Sequence, residues 1–422
     1  MLVGLTLATT LLLACSSAPT PEVEVPLGEA RPPDGSELEG IASSAAIKTQ
    51  LVYSGEVRSE SLWVEGNGEV GAYAFDTPEG SVFVGIGEEN APFEVATRAQ
   101  VGCLIVGQKG TVTVGVLQRG GQEPVSSLVV YELDAAGQKV GANWSPTSPA
   151  LWVEAGSRCA FVEDAGVVTA VVVEAREAKG DATLELWVAP FEGEGHAFET
   201  GSHVPMIRSA VSRNGVVLLA LEQIHEAKDG TKHKLWTLAQ VDAAGGWETI
   251  AVERPSDSPL SVSAAGREVL IAWSETGLVG PAGSLRKPHL SVLGTWVTLP
   301  LSGVPAATVR AHVVEALSAK ELFETLFVGG RWWAVMAAEP YVSRGKAEEP
   351  PHTEYLVPIE EGNAALSRLV DDLYGIRGTA LGGEYAHSLA IGLGPAHEVL
   401  PEVSVGVYRL SDLEAAAWGG SE

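Results

Sequence analysis

The sequence predicts an all-β chain built as a β-propeller of about seven blades, and three observations carry that expectation. From about residue 50 the chain becomes a series of short Val-, Leu- and Ala-rich runs separated by Gly, Asp, Asn and Pro, which are strand and turn signals. A turn glycine leading an apolar strand recurs at Gly110 (GTVTVGVL), Gly166 (GVVTAVVV), Gly215 (GVVLLALE), Gly266 (GREVLIAW), Gly330 (GRWWAVMA) and Gly383 (GEYAHSLAI), at intervals of 56, 49, 51, 64 and 53 residues. The turn that follows the next strand repeats as well: Asp134-Ala135-Ala136-Gly137 and Asp242-Ala243-Ala244-Gly245 are identical, 24 residues after Gly110 and 27 after Gly215.

A strand repeat of this period with no helix between strands is the pattern of propeller blades, each a four-stranded sheet packed on its neighbours. A blade cannot bury both faces alone, so closure into a ring supplies the core. Second strands are expected at Leu128 to Leu133, Leu184 to Ala189, Leu235 to Val241 and Val403 to Leu410. Dividing the chain from about 50 to 420 by the mean interval gives the seven blades. The first is the least visible, since one step back from Gly110 falls on Gly55 in SGEVRSESLWVEG while Gly68 competes. The alternative architecture is an N-terminal β-sandwich to about residue 195 followed by a smaller propeller-like domain. Two stretches break the strand pattern. Leu366, Leu369, Val370 and Leu373 have i, i+3, i+4, i+7 spacing, with Asn363 as an N-cap and Gly375 past the end, which predicts a short helix. A second helical pattern covers roughly Val313 to Phe327.

Composition narrows the functional classes. With 45% hydrophobic and 19% charged residues the chain is globular, and Lys+Arg 27 against Asp+Glu 54 gives a formal charge of -27. Such a charge repels phosphate backbones, which excludes nucleic acid as an expected partner. Beyond Cys15 no run of 18 apolar residues occurs, so no membrane-spanning helix is expected there. Cys103 and Cys159 lie seven residues before Gly110 and Gly166, equivalent places in adjacent repeats. In an oxidising compartment they form one candidate disulfide, with two buried free thiols as the alternative.

The N-terminus carries a resemblance. Leu12-Leu13-Ala14-Cys15 ends an apolar run from Leu2 and is followed by Ser16, Ser17 and a segment with prolines at 19, 21, 26, 32 and 33. It resembles a bacterial lipoprotein lipobox. The resemblance implies a signal peptide over residues 1–14, cleavage before Cys15, a diacylglycerol on its sulfur, and a lipid-anchored protein in the outer membrane, since Ser16 and not Asp follows the cysteine. No Lys or Arg lies between Met1 and Cys15, although secretory signals begin with a positive region; the expected translation start is therefore a few codons upstream. Residues 15–46 then read as the lipidated cysteine and a Pro-rich tether, too poor in apolar surface to fold, and 47–422 as the propeller.

The stretch GGWETIAVERPSDSPLSVSAAGREVLIAWSE, Gly245 to Glu275, is similar to blades of sialidase-like propellers, with a Gly-Trp turn and a Gly-led strand ending in Ala-Trp. The family's Asp-box is absent; Asp242 to Trp247 keeps only its Asp, Gly and Trp character. Met206-Ile207-Arg208 faintly resembles the arginine motif that grips a sialic acid carboxylate. No acid/base or nucleophile is assignable from the sequence, so no catalytic residue is named. His225 and His233 flank the turn signal Lys228-Asp229-Gly230 and face each other across a hairpin, yet a zinc site needs a further ligand; no metal or cofactor is expected. HExxH, GxSxG, P-loop and EF-hand patterns do not occur. Glu348-Glu349, Glu360-Glu361 and Asp371-Asp372 read as solvated faces, because adjacent residues diverge on a strand or helix. In the doublet Trp332-Trp333 one ring is expected in the core and the other outward or in a blade interface.

The sequence thus points to a lipid-anchored envelope protein, a non-catalytic binding or scaffold propeller for a protein or glycan partner. The alternative is a divergent glycan-acting hydrolase of sialidase-like architecture. Membership of a larger envelope complex is a third possibility.

Overall fold

The computed structural model describes residues 48–409 except 59–60, 68–69, 88–90, 120–125, 141–158, 179–180, 191–195, 202–205, 227–231, 243–244, 255–258, 280–286, 314–315, 329–330, 341–352, 360–366, 371–376, 381–384 and 392–398. The signal, lipobox and tether expectations, the paired acids at 348–349, 360–361 and 371–372, and the caps Asn363 and Gly375 lie outside the described residues.

Twenty-seven described strands form seven antiparallel sheets. The chain begins with β1 (Lys48–Arg58), which belongs to the last sheet. Blade 1 is β2 (Trp63–Gly66), β3 (Gly71–Asp76), β4 (Val82–Ile86) and β5 (Phe93–Ala96); blade 2 is β6 (Ala99–Val106), β7 (Val112–Arg119) and β8 (Ser126–Leu133). Blade 3 is β9 (Cys159–Asp164), β10 (Val167–Ala178), β11 (Asp181–Pro190) and β12 (His196–Gly201), and blade 4 is β13 (Met206–Arg213), β14 (Val216–Glu226), β15 (Lys232–Val241) and β16 (Trp247–Arg254). Blade 5 is β17 (Leu260–Ala265), β18 (Glu268–Val279), β19 (Lys287–Val297) and β20 (Val309–Val313). Blade 6 is β21 (Ala316–Val328), β22 (Arg331–Pro340), β23 (Thr353–Pro358) and β24 (Ser367–Val370). Blade 7 joins β25 (Arg377–Ala380), β26 (Tyr385–Ile391) and β27 (Val399–Arg409) to β1.

The first strands of the sheets touch in sequence: β2 meets β6, β6 meets β9, and so on through β13, β17 and β21 to β25, which meets β2 again. The seven sheets therefore form a closed propeller with these strands innermost. Closure is completed at the rim, where β1 runs antiparallel to β27, with Lys48 opposite Val407 and Arg58 opposite Val399. The N-terminal strand thus supplies the outer strand of the C-terminal blade. Among the described residues the sheets belong to one ring and no separate sandwich forms.

Where their side chains are described, the blades pack on both faces, which is why their strands read as almost unbroken apolar runs. In β14, Val217, Leu219 and Leu221 pack toward Val162 and Val171 of blade 3. The alternate residues Val216, Leu218 and Ala220 pack toward Leu260, Val262 and Ile271 of blade 5, as the two-residue period of a strand requires. The same logic buries both rings of the Trp332–Trp333 doublet, so neither faces outward.

The described members of the glycine repeat, Gly110, Gly166, Gly215 and Gly266, occupy the turn between the first and second strands. Ala165-Gly166 and Asn214-Gly215 are two-residue hairpin loops with both residues at positive φ, the geometry that matches strand twist. In blade 1 this turn lies between Gly66 and Gly71, and Gly68 falls outside the described residues; Gly55 lies inside β1. The repeated tetrapeptide forms the turn after the third strand. Asp134 Oδ1 accepts from the backbone N–H of Ala136 at 2.9 Å and Gln138 at 2.8 Å, and Asp242 Oδ1 accepts from Gly246 at 2.8 Å. Both predicted helices are corrected: 316–328 is β21, the inner strand of blade 6, and 367–370 is β24, paired with β23.

The candidate disulfide is present. Cys103 of β6 and Cys159 of β9 are bonded, Cα to Cα 5.5 Å, and join the inner strands of blades 2 and 3. Glycine makes room for it, since a Cβ at Gly115 would stand 2.6 Å from the Cys103 sulfur.

Candidate functional site at the central channel

The inner strands line the axis, and their described polar side chains include both small hydroxyls and larger charged groups. Between blades 4, 5 and 6 they form a hydroxyl lacing: Ser209 accepts from the Val262 N–H at 2.8 Å, and Thr325 hydrogen-bonds Ser261 at 3.1 Å and Ser263 at 2.6 Å. These bonds tie β13, β17 and β21 together at their closest approach.

Two carboxyls on these strands are electrostatically coupled. Glu65 on β2 and Glu324 on β21 are both half-buried. Burial pushes the Glu65 carboxyl up to about 8, and the charge of Glu324 adds to the rise. Blade 7 separates blade 6 from blade 1 around the ring, so the innermost strands β2 and β21 bring these carboxyls within electrostatic range near the axis. Glu65 is half-buried, a setting in which desolvation raises a carboxyl without sealing it off. At neutral pH the pair has unequal roles: Glu65 holds a proton and can donate, whereas Glu324 carries the charge that raises it and can accept.

Arg208 does not line this site. Its guanidinium is ion-paired with the buried Glu222 on the neighbouring strand, Nε to Oε2 2.6 Å, and lies over the Trp236 ring at 5.9 Å. Arg58 pairs with Asp76 at 3.6 Å and Arg310 with Glu275 at 3.6 Å. Arg213 donates to the carbonyls of Gly266 at 3.0 Å, Glu163 at 3.3 Å and Ser212 at 2.7 Å, joining blade 4 to blades 5 and 3. These four guanidiniums are thus used within and between blades, not gathered on one anion. His225 and His233 are opposite each other in the β14–β15 register. Among the described residues no group of three or more His, Cys, Asp or Glu is placed to hold a metal.

The acid pair is absent from the sequence reading, which considered only carboxylates adjacent in the chain. The available signal was Glu65 alone in the otherwise apolar or small strand Trp63–Gly66; Glu324 lies in a run that also holds Lys320 and Glu321 and whose spacing predicts a helix.

The sequence matches no protein-family model and no curated protein. Among solved structures it is similar to an α-L-arabinofuranosidase of Fusarium graminearum, at 10% identity over 75% of this chain and 94% of that one, TM-score 0.41. The β-propeller domain of the Trilobed protease from Pyrococcus furiosus aligns at 13% identity over 78% and 90%, TM-score 0.42. The polysaccharide lyase Uly1 aligns at 9% identity over 87% and 90%, TM-score 0.41. The architecture of this chain stands on its own sheet order and ring closure, and at these identities nothing about ligand or chemistry follows from the likeness.

Proposed function

We propose that the protein is a lipid-anchored envelope propeller that binds a glycan at its central channel. The observation that carries the channel assignment is the Glu65–Glu324 pair, contributed by inner strands of blades that are not neighbours. A protonated carboxyl beside an ionised one offers a donor and an acceptor together, the complement of the vicinal hydroxyls of a sugar ring. Anchoring rests on the lipobox resemblance at Cys15 and places such a module where envelope polysaccharides are found.

A second reading uses the same two residues. Glycoside hydrolysis needs one carboxylic acid that protonates the leaving oxygen and one carboxylate that acts as base or nucleophile, and a pair whose environments separate their protonation states has that division of labour.

One experiment separates the two. The full chain is titrated with a panel of envelope polysaccharides by calorimetry, and the same mixtures are assayed for new reducing ends. Binding without cleavage, weakened about tenfold or more in Glu324→Gln, supports the binding module. Reducing ends that vanish in both Glu65→Gln and Glu324→Gln support the hydrolase. A chain that neither binds nor cleaves any member refutes the glycan assignment. Lipid labelling that survives Cys15→Ala refutes the anchor.

A further inference from the structure

Trp296 on β19 of blade 5 and Phe327 on β21 of blade 6 are aromatic side chains left exposed, by 36% and 38%. The strand registers place both on the seam between these blades. Trp296 pairs with Leu270 and stands two residues past Gly294, on the same face of its strand. A Cβ on Gly294 would meet Ile359 at 3.1 Å and Leu270 at 3.2 Å, so that face of blade 5 is turned to Ile359, which follows β23 of blade 6. Ile359 donates its N–H to the Trp332 carbonyl at 2.9 Å, and Trp332 pairs with Phe327, so these three share the face of blade 6 turned back to blade 5. Thr325 agrees: two residues before Phe327, it bonds Ser261 and Ser263 of blade 5. Trp296 and Phe327 are each the next-to-last residue of a first or third strand, and first and third strands run the same way, so both rings lie at the same end of the seam.

Trp332 is buried and packs on Phe327, ring centroids 5.1 Å apart, and its indole Nε1 has no hydrogen-bond partner. A buried N–H without an acceptor is costly, so the seam holds a donor that a ligand oxygen would satisfy once Phe327 yields. Size and charge set the occupant. Aromatic side chains carry about 150–250 Å² each, so two rings just over one-third exposed offer roughly 150 Å², far below the roughly 800 Å² per partner of a stable protein interface. A formal charge of -27 repels a polyanion. A neutral β-1,4-linked pyranose with equatorial hydroxyls fits both limits: its C–H faces stack on aromatic rings and its hydroxyls accept from an indole N–H.

We infer that this seam between blades 5 and 6 is a sugar-binding subsite for a neutral β-1,4-linked glycan, with Trp296 and Phe327 as stacking platforms and Trp332 Nε1 as a donor. The inference rests on the glycan reading above and adds a contact apart from the acid pair. Glu324 is three residues from Phe327 on β21, about 10 Å along the strand and on its other face.

The test follows the indole N–H signals of the eleven tryptophans by NMR in the isotope-labelled full chain, as cellohexaose, chitohexaose or xylohexaose is added. Trp296→Phe and Trp332→Phe assign the two signals of interest. At least one hexasaccharide should move both, the Trp332 signal downfield as its N–H gains an acceptor. Its Kd, by calorimetry, should rise about threefold or more in each of Trp296→Leu and Phe327→Leu. Either signal standing still with all three sugars overturns the inference, as does a shift that follows protein concentration alone, which puts a second copy on the seam. A hexasaccharide that is weakened by Glu324→Gln and leaves both signals in place fails the seam and keeps the channel. Signals that move equally in Glu324→Gln keep the seam whatever the channel binds.

Discussion

Glu65 gives the sharpest consequence at the scale of the residue. In the folded chain its carboxyl titrates near 8 against an ordinary 4.5. Between those values the unfolded chain has lost the proton and the folded chain has kept it, so the unfolded state binds fewer protons and stability falls as pH rises from about 4.5 to about 8. Each unit is worth about 1.4 kcal/mol, and the partial exposure of Glu65 reduces the total to the order of 3 kcal/mol. Glu65→Gln keeps the shape and removes the titration, so its denaturation midpoint should match the parent at pH 5 and exceed it at pH 8. A variant less stable than the parent at pH 8 contradicts the assignment. This residue shows why the site was not legible in the sequence. Its partner is 259 positions away, and only ring closure places β2 and β21 on one axis.

At the scale of the element, the glycine turns and the cysteines repeat for one reason. Equivalent positions in adjacent blades meet equivalent surroundings, and the turns are clasped blade to blade. Asn67 donates to the Gly107 carbonyl at 2.6 Å, the Gln108 N–H to Glu163 at 2.8 Å, the Gly215 N–H to Asp164 at 2.8 Å, and Arg213 to the Gly266 carbonyl at 3.0 Å. This series links blades 1 to 5. The Cys103–Cys159 bond is the covalent member of the same kind of contact and spans 56 residues. Closing a loop of that length in the unfolded chain is worth about 4 kcal/mol. Cys103→Ser with Cys159→Ser should lower Tm by about 5 °C for a domain of this size, measured by calorimetry against the oxidised parent; an unchanged Tm contradicts the bond.

The repeat was legible because each turn needs a particular residue: Asn214-Gly215 for a tight hairpin, Asp134 and Asp242 for a turn that captures backbone N–H groups. The strands were less legible where burial is two-sided. A strand covered on both faces loses its alternation; the run Ala316–Val328 lacks it too and shows helix-like spacing by accident. Leu369 and Val370 misled in the same way, as they lie in the outer strand β24 and on no helical face. Gly55 misled for a different reason: β1 has the composition of a strand but belongs to the blade that ends the chain.

At the scale of the whole molecule, the seven sheets hold as a ring because β1 completes blade 7. A buried junction supports that closure: Asp76 accepts from the Val101 N–H at 2.9 Å and meets Arg58, the last residue of β1, at 3.6 Å, so blades 7, 1 and 2 share one carboxylate. The aromatic packing of Tyr53 from β1 with Phe75 at 4.9 Å and Phe83 at 5.1 Å adds an apolar seal. Both the channel that holds Glu65 and Glu324 and the shared polarity of the turns depend on this closure.

The most direct test is therefore a cross-link across it. Thr49 and Gly406 are directly paired between β1 and β27. In a Cys15→Ala chain carrying Thr49→Cys and Gly406→Cys, mild oxidation should give a monomer with a bond between positions 49 and 406, read by mass spectrometry of the digested protein, and a raised Tm. A chain that stays reduced, or that links only to other chains, would mean that the first and last strands do not meet and that the ring is open.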